Sequence, residues 1–220
     1  MRATKKRCLL LSEMIVRAYR VDRSRINKDE ALRVLQSLVS FKRPEQLGLY
    51  LNFLKNEGSR AGVDTYITYR RQVSSPTPAE ITSATPIVVP SRDFHSISLF
   101  EKYDQRLNTL YRLLPEQGIT FPDTPILIRG GVLAWDMARL SILSEMAHAY
   151  GLITNRQMWD NLILAWRKSV AAFDSWQEFA QSCLLGMVLD EEQIGCEELL
   201  KLYQTVTESP ESPWVTTSFK

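Results

Sequence analysis

Between Gly131 and Gly186 the sequence reads as three consecutive helices with their own start and stop signals, and such a run constrains the chain to helix-on-helix packing. From Trp135 the apolar residues recur at Ile142, Leu143, Met146, Ala147 and Tyr150, the three-and-four spacing of a helix with one buried face. Gly151 comes directly after, where a helix end favours a residue that tolerates left-handed backbone angles. Thr154 and Gln157 then form a capping box for a second helix, whose predicted inner face is Trp159, Leu162, Ile163, Trp166, Val170 and Phe173. A second box, Ser175 to Glu178, opens a third helix burying Trp176, Phe179, Ala180, Cys183, Leu184 and Met187. Gly186 marks either the end of that helix or the close approach of a neighbour. Four of the five Trp fall in this stretch, which places the core here.

Arg139 occupies the remaining slot on the apolar stripe of the first helix, and an unpaired buried charge is very costly. Asp136, three residues earlier, lies on the same side and is the nearest partner. The pair has two readings. It is a structural ion pair, or it is a charge held in a pocket for ligand or chemistry. The first carries more weight, because the Trp set at helical spacing reads as core before it reads as an aromatic pocket.

The remainder is helical by the same criteria. Residues 8–20 read as a short helix with Leu11, Ile15 and Tyr19 on one face; Asn27 caps another with Ala31, Leu32, Leu35, Leu38 and Val39 inward. Pro44 is suited to the first position of the next, which buries Leu47, Tyr50, Leu51 and Leu54 and ends at Asn56-Glu57-Gly58. The stretch from Val63 to Val73 is ambiguous between strand and helix and is taken as helix. Pro76, Pro78, Pro86 and Pro90 interrupt the chain beyond it, since proline at that density cannot continue a helix. Asp93 caps a long helix that carries Phe94, Ile97, Phe100, Tyr103, Leu107, Leu110 and Leu114 and is closed by Pro115, Gly118 and Pro122. Asp190-Glu191-Glu192 starts a last helix with Ile194, Leu199, Leu202, Tyr203 and Val206 inward. The tail from Ser209 is expected to be loosely ordered, with Trp214 able to dock. The expected fold is therefore all-α: one globular body of about seven or eight helices. Its expected division is an N-terminal helical subregion over 1–73, a Pro-rich linker over 74–92, a helical core over 93–206 and a tail over 207–220.

Composition excludes more than it assigns. No apolar run is long enough to span a membrane, and the apolar stretch after the basic start is broken at Ser12-Glu13, against a signal peptide. Cys8, Cys183 and Cys196 show no metal-ligand spacing, and His95 and His148 share none with a carboxylate or cysteine, so neither metal nor cofactor is expected. Reduced structural thiols in the cytoplasm are the expectation. Arg129-Gly130-Gly131 lacks the Lys-Ser or Lys-Thr of a phosphate loop. A net charge of +2 hides an asymmetry: residues 1–25 hold eight Lys or Arg against Glu13 and Asp22, while residues 183–220 hold seven Asp or Glu against Lys201 and Lys220. Either the two ends lie together or each faces a charged partner. Nucleic acid is disfavoured as that partner, because the basic start leads into no recognition helix with clustered Lys or Arg.

Three motifs in order carry a resemblance: Ala134-Trp135-Asp136-Met137-Ala138-Arg139, then Tyr150-Gly151-Leu152-Ile153-Thr154, then Ser175-Trp176-Gln177-Glu178-Phe179 with Gly186 after it. They resemble the bacterial domain-of-unknown-function family twelve-sixty-six over roughly Phe94 to Gly186, with Leu152 and Thr154 in a turn that is Gly-Tyr-Ile-Ser in the family and Gln177 in place of an acidic residue. The resemblance implies a helical, stand-alone, cytosolic protein without established chemistry, some of whose relatives accompany contact-delivered toxins. With no catalytic constellation in view, the leading expectation is an immunity protein that occludes the active site of a cognate toxin. Asp190, Glu191, Glu192, Glu197 and Glu198 would meet its basic cleft. The competing expectation is a small-ligand binder or enzyme using Asp136, Arg139 and the surrounding aromatics, which requires an open pocket at that pair. A structural or regulatory adaptor, with self-association open to it, is the third reading.

Overall fold

The structure is a computed structural model that describes residues 2–39, 44–74, 94–190 and 194–220. The Pro-rich stretch and the Asp93 cap lie outside the described residues, as do Glu191 and Glu192. All regular structure among the described residues is helical: α1 (Arg2–Leu10), α2 (Glu13–Ala18), α3 (Lys28–Leu38), α4 (Pro44–Asn56), α5 (Arg60–Ser74), α6 (Phe94–Glu116), α7 (Leu133–Tyr150), α8 (Asn155–Ala172), α9 (Trp176–Asp190), α10 (Cys196–Glu208) and the short α11 (Pro213–Thr216), with single 3₁₀ turns at Arg23–Arg25 and Pro125–Leu127. The N-terminal stretch expected as one helix is thus two, α1 and α2, and the ambiguous segment after Gly58 is α5.

The architecture is a central helix wrapped by others. α7 packs against α1, α2, α3, α4, α8 and α9. A helix surrounded in this way is buried on every face, and Ala134 through Ser144 are all buried. The single stripe read from the sequence captures one side of it. The other sides carry Met137 and Leu140 together with small residues (Ala134, Ala138, Ser141, Ser144), which let neighbouring backbones come close. Two polar contacts cross helices in this interior: the Ala134 amide donates to Ser182 Oγ at 3.0 Å, and Asn161 Nδ2 donates to Ser144 Oγ at 2.9 Å, while Ser141 Oγ has no partner among the described residues.

Local signals account for the helix ends. Gly151 takes φ +97° and its amide returns to the carbonyls of Ala147 and His148, closing α7. Thr154 and Gln157 form the expected reciprocal box at α8. At α9 the box is altered. Ser175 Oγ accepts from the Glu178 amide at 3.2 Å, and the Glu178 carboxylate takes the amide of Asp174, one residue further back, at 2.8 Å.

α6 and α10 complete the body against α9, and α10 also meets α2 and α11. The tail is packed, contrary to the expectation of loose order. Trp214 is 3% exposed and stacks on Trp176 at 5.2 Å between ring centres, with its indole N–H on the Leu10 carbonyl at 2.7 Å. Phe219 meets Trp176 edge-on at 4.8 Å, and the Trp176 indole donates to Thr217 at 2.8 Å. Aromatic surface of this size outweighs the ordering entropy of a short tail.

Candidate functional site

Asp136 and Arg139 sit at the middle of a buried polar network joining four helices. Arg139, 5% exposed, donates from one terminal nitrogen to Tyr50 Oη at 2.8 Å and Asp190 Oδ2 at 2.7 Å. Its other terminal nitrogen donates to Ser59 Oγ at 2.6 Å and Asp136 Oδ1 at 2.8 Å. The guanidinium lies over the Trp135 ring at 4.7 Å, while the Trp135 indole donates to the same Asp190 oxygen at 3.0 Å. Asp136, fully buried, accepts from Arg60 at 3.1 Å and from the backbone amides of Ser59 at 2.9 Å and Arg60 at 3.4 Å. Those amides open α5, so the carboxylate fills the anion site that a helix N-terminus presents. Burial pushes the Asp136 carboxyl up from the ordinary value, against the pull of Arg139, the Ser59 amide and Arg60.

Contacts of this kind are those of a structural ion pair. Of the Arg139 nitrogens only Nε lacks a partner among the described residues, and both side chains are enclosed by α4, α5, α7 and α9. A ligand or reaction at Asp136 and Arg139 requires an open pocket, whereas the two residues are 0% and 5% exposed. The spacing of three identifies the local partner. It cannot identify Tyr50, Ser59, Arg60 or Asp190, which are 51 to 89 residues away along the chain.

The other residues singled out in the sequence separate into groups. Tyr150 and Gly151 serve the end of α7, and Ser175 and Glu178 the start of α9. Trp176 and Phe179 belong to the aromatic cluster with Trp214 and Phe219, and Trp159 is half-buried beneath Lys5 at 4.6 Å. The acidic set is divided. Asp190 ends α9 and turns into the network, also accepting from Ser59 Oγ at 2.9 Å. Helix α10 begins only at Cys196, so Asp190 does not open it, and it presents Glu198 and a Glu197 paired to Lys201 at 2.9 Å to solvent.

A second buried clamp has no signature in the sequence. Arg23 donates to the Leu9 carbonyl at 2.7 Å and to Glu145 at 3.0 Å, fastening the N-terminal helices to the far half of α7. Burial pushes Glu145 up, against Arg23 and Ser12. The three cysteines are free and buried, with burial pushing the Cys8 thiol up to about 11. No cluster of metal-ligating side chains occurs among the described residues.

An open cavity lies elsewhere. A cleft of about 310 Å³ separates α5, α6 and the connection over residues 119–128. Its apolar wall is Tyr66, Ile67, Leu107 and Tyr111; its polar groups are Arg70, Asp104, Asn108, Asp123 and Thr124. Asp104 accepts from Tyr66 Oη and pairs with Arg70 at 3.4 Å. The buried Tyr111 hydroxyl has no partner among the described residues. These residues come from three separate segments with ordinary periodicity, so nothing in the sequence draws them together.

No described helix is long and apolar enough to cross a membrane. No curated protein and no solved structure matches the chain. The likeness carried by the three motifs over roughly Phe94 to Gly186 extends well past both ends of that stretch: the model of the family described as protein of unknown function (DUF1266) matches residues 26–219, and the chain belongs to that family.

Proposed function

We propose that this chain acts by binding another protein, and within that class that it is an immunity-type protein covering the active site of a toxin domain. The observation that carries the reading is the internal engagement of Arg139, Asp136 and Asp190. The buried charges of Arg139 and Asp136, with Asp190 at the rim of the network, are committed to holding α4, α5, α7 and α9 together, and that directs function to the surface. Two surface features support a partner. Leu49 and Phe53, one turn apart on α4, are 71% and 38% exposed. Glu197 and Glu198 stand exposed at the start of α10 in an acidic C-terminal region, and a toxin acting on nucleic acid presents a basic cleft. The same reading puts the protein in the cytoplasm, in keeping with its buried free thiols.

The test is affinity capture from the native host combined with deletion. A toxin-like domain should co-purify, its reading frame should lie beside this one, and cells lacking this protein should lose viability when the toxin is present. Glu197→Lys combined with Glu198→Lys should weaken the complex about tenfold and reduce its salt dependence. Capture without any toxin-like domain, together with unchanged survival on deletion, rejects the proposal.

A further inference from the structure

We infer that the cleft between α5, α6 and the 119–128 connection is a binding site for a small organic cation with a flat apolar body, of the aromatic amine or amidine class. Such a site is independent of any protein partner. In the Arg139 network the polar groups are engaged with one another. In the cleft, Asn108, Asp123 and the Thr124 hydroxyl line the cavity without a side-chain partner among the described residues.

Size, wall and charge each narrow the ligand. About 310 Å³ is at the lower end of ligand-site volumes, which suits one or two fused rings. Tyr66, Ile67, Leu107 and Tyr111 make the wall largely apolar, which suits the flat apolar body of the ligand, and aromatic rings in such a wall attract cations. Two carboxylates, Asp104 and Asp123, face the space against one guanidinium, Arg70. Arg70 is matched by Asp104 at 3.4 Å, so the charge left over is that of Asp123. An anion would meet that charge unfavourably, and a neutral molecule would gain nothing from it.

The test uses the full chain with three probes of one shape, benzamidine, benzamide and benzoate, and tryptamine as a larger cation, monitored by calorimetry and by amide shifts in NMR. Benzamidine and tryptamine should bind, with shifts at α5, α6 and the connection; benzamide should bind at least about tenfold more weakly, and benzoate not at all. Asp123→Asn alters an exposed residue, so it should leave thermal unfolding unchanged while reducing cation affinity about tenfold. Tyr111→Phe removes an unpartnered buried hydroxyl. It should leave the free protein as stable or more so and keep the cation affinity, because the ring remains in the wall. Arg70→Gln should tighten cation binding, an effect that a purely structural cleft would not produce. Binding of benzoate equal to benzamidine, unchanged affinity in Asp123→Asn, or no shift with either cation overturns the inference.

Discussion

At Gly58 the backbone holds φ +61°, and a Cβ built there would fall 2.1 Å from a carboxylate oxygen of Asp136. Both facts require glycine, the first because left-handed angles are strained for other residues, the second because the carboxylate must reach the amides opening α5. Gly186 is constrained differently. Its Cβ would lie 2.2 Å from Trp135 Cβ, an atom fixed to the backbone of α7, so any side chain drives α7 and α9 apart. Gly186→Ala is expected to cost about 1–3 kcal/mol as overpacking, and urea denaturation would read it. Asp136→Ala leaves the Arg139 and Arg60 charges short of a partner and should cost about 3–5 kcal/mol by the same measurement, whereas an exposed ion pair is worth about 0–1 kcal/mol. A small effect would show that the network is dispensable. The i,i+3 spacing makes the Asp136–Arg139 contact legible in the sequence. Its other partners are not legible there, because Tyr50 reads as core, Asp190 reads as the start of the next helix, and nothing in the sequence marks Ser59.

Among elements, the stretch most legible in the sequence is the one whose signals are local. The Thr154 box, the Gly151 stop and the apolar faces of α8 and α9 all arise from residues within two turns of one another. Where a helix is enclosed on all sides, periodicity fades, and a single stripe understates the burial of α7. The tail misleads for another reason: its prolines and polar residues carry a loop signature, while the surface that orders it, Trp176 and Phe179, is about 35 residues earlier in the chain. Trp214→Ala removes a ring stacked in that cluster and should cost about 3–5 kcal/mol, measured by denaturant unfolding. If the tail merely rested on the surface, the loss would fall within about 0.5 kcal/mol.

For the whole molecule, the uneven charge poses a choice between ends that lie together and ends that face separate partners. The ends do lie together: Arg7 donates to the Ser218 carbonyl at 3.0 Å, and Trp214 reaches Leu10 at 2.7 Å, while Glu197 and Glu198 stay exposed. The clasp continues through Lys220 and Arg129, both of which bind the Asp174 carboxylate. Hydrogen bonds from Lys220 and Arg129 hold that carboxyl down, from the usual 3.8 to about 2. A lowered carboxyl contributes stability above its unfolded value and loses it as pH falls through the folded one, so the clasp should weaken between pH 3.8 and about 2. Asp136 and Glu145 act in the opposite sense. Their raised values mean the folded state holds the proton more tightly, so their contribution is full in acid and declines as pH rises. Acid should therefore loosen the tail before it opens the core. In NMR the indole N–H signals of Trp176 and Trp214 should shift across that window while far-UV circular dichroism holds steady, and Asp174→Asn should remove the shift. An identical titration in the variant would place the acid response somewhere other than this clasp.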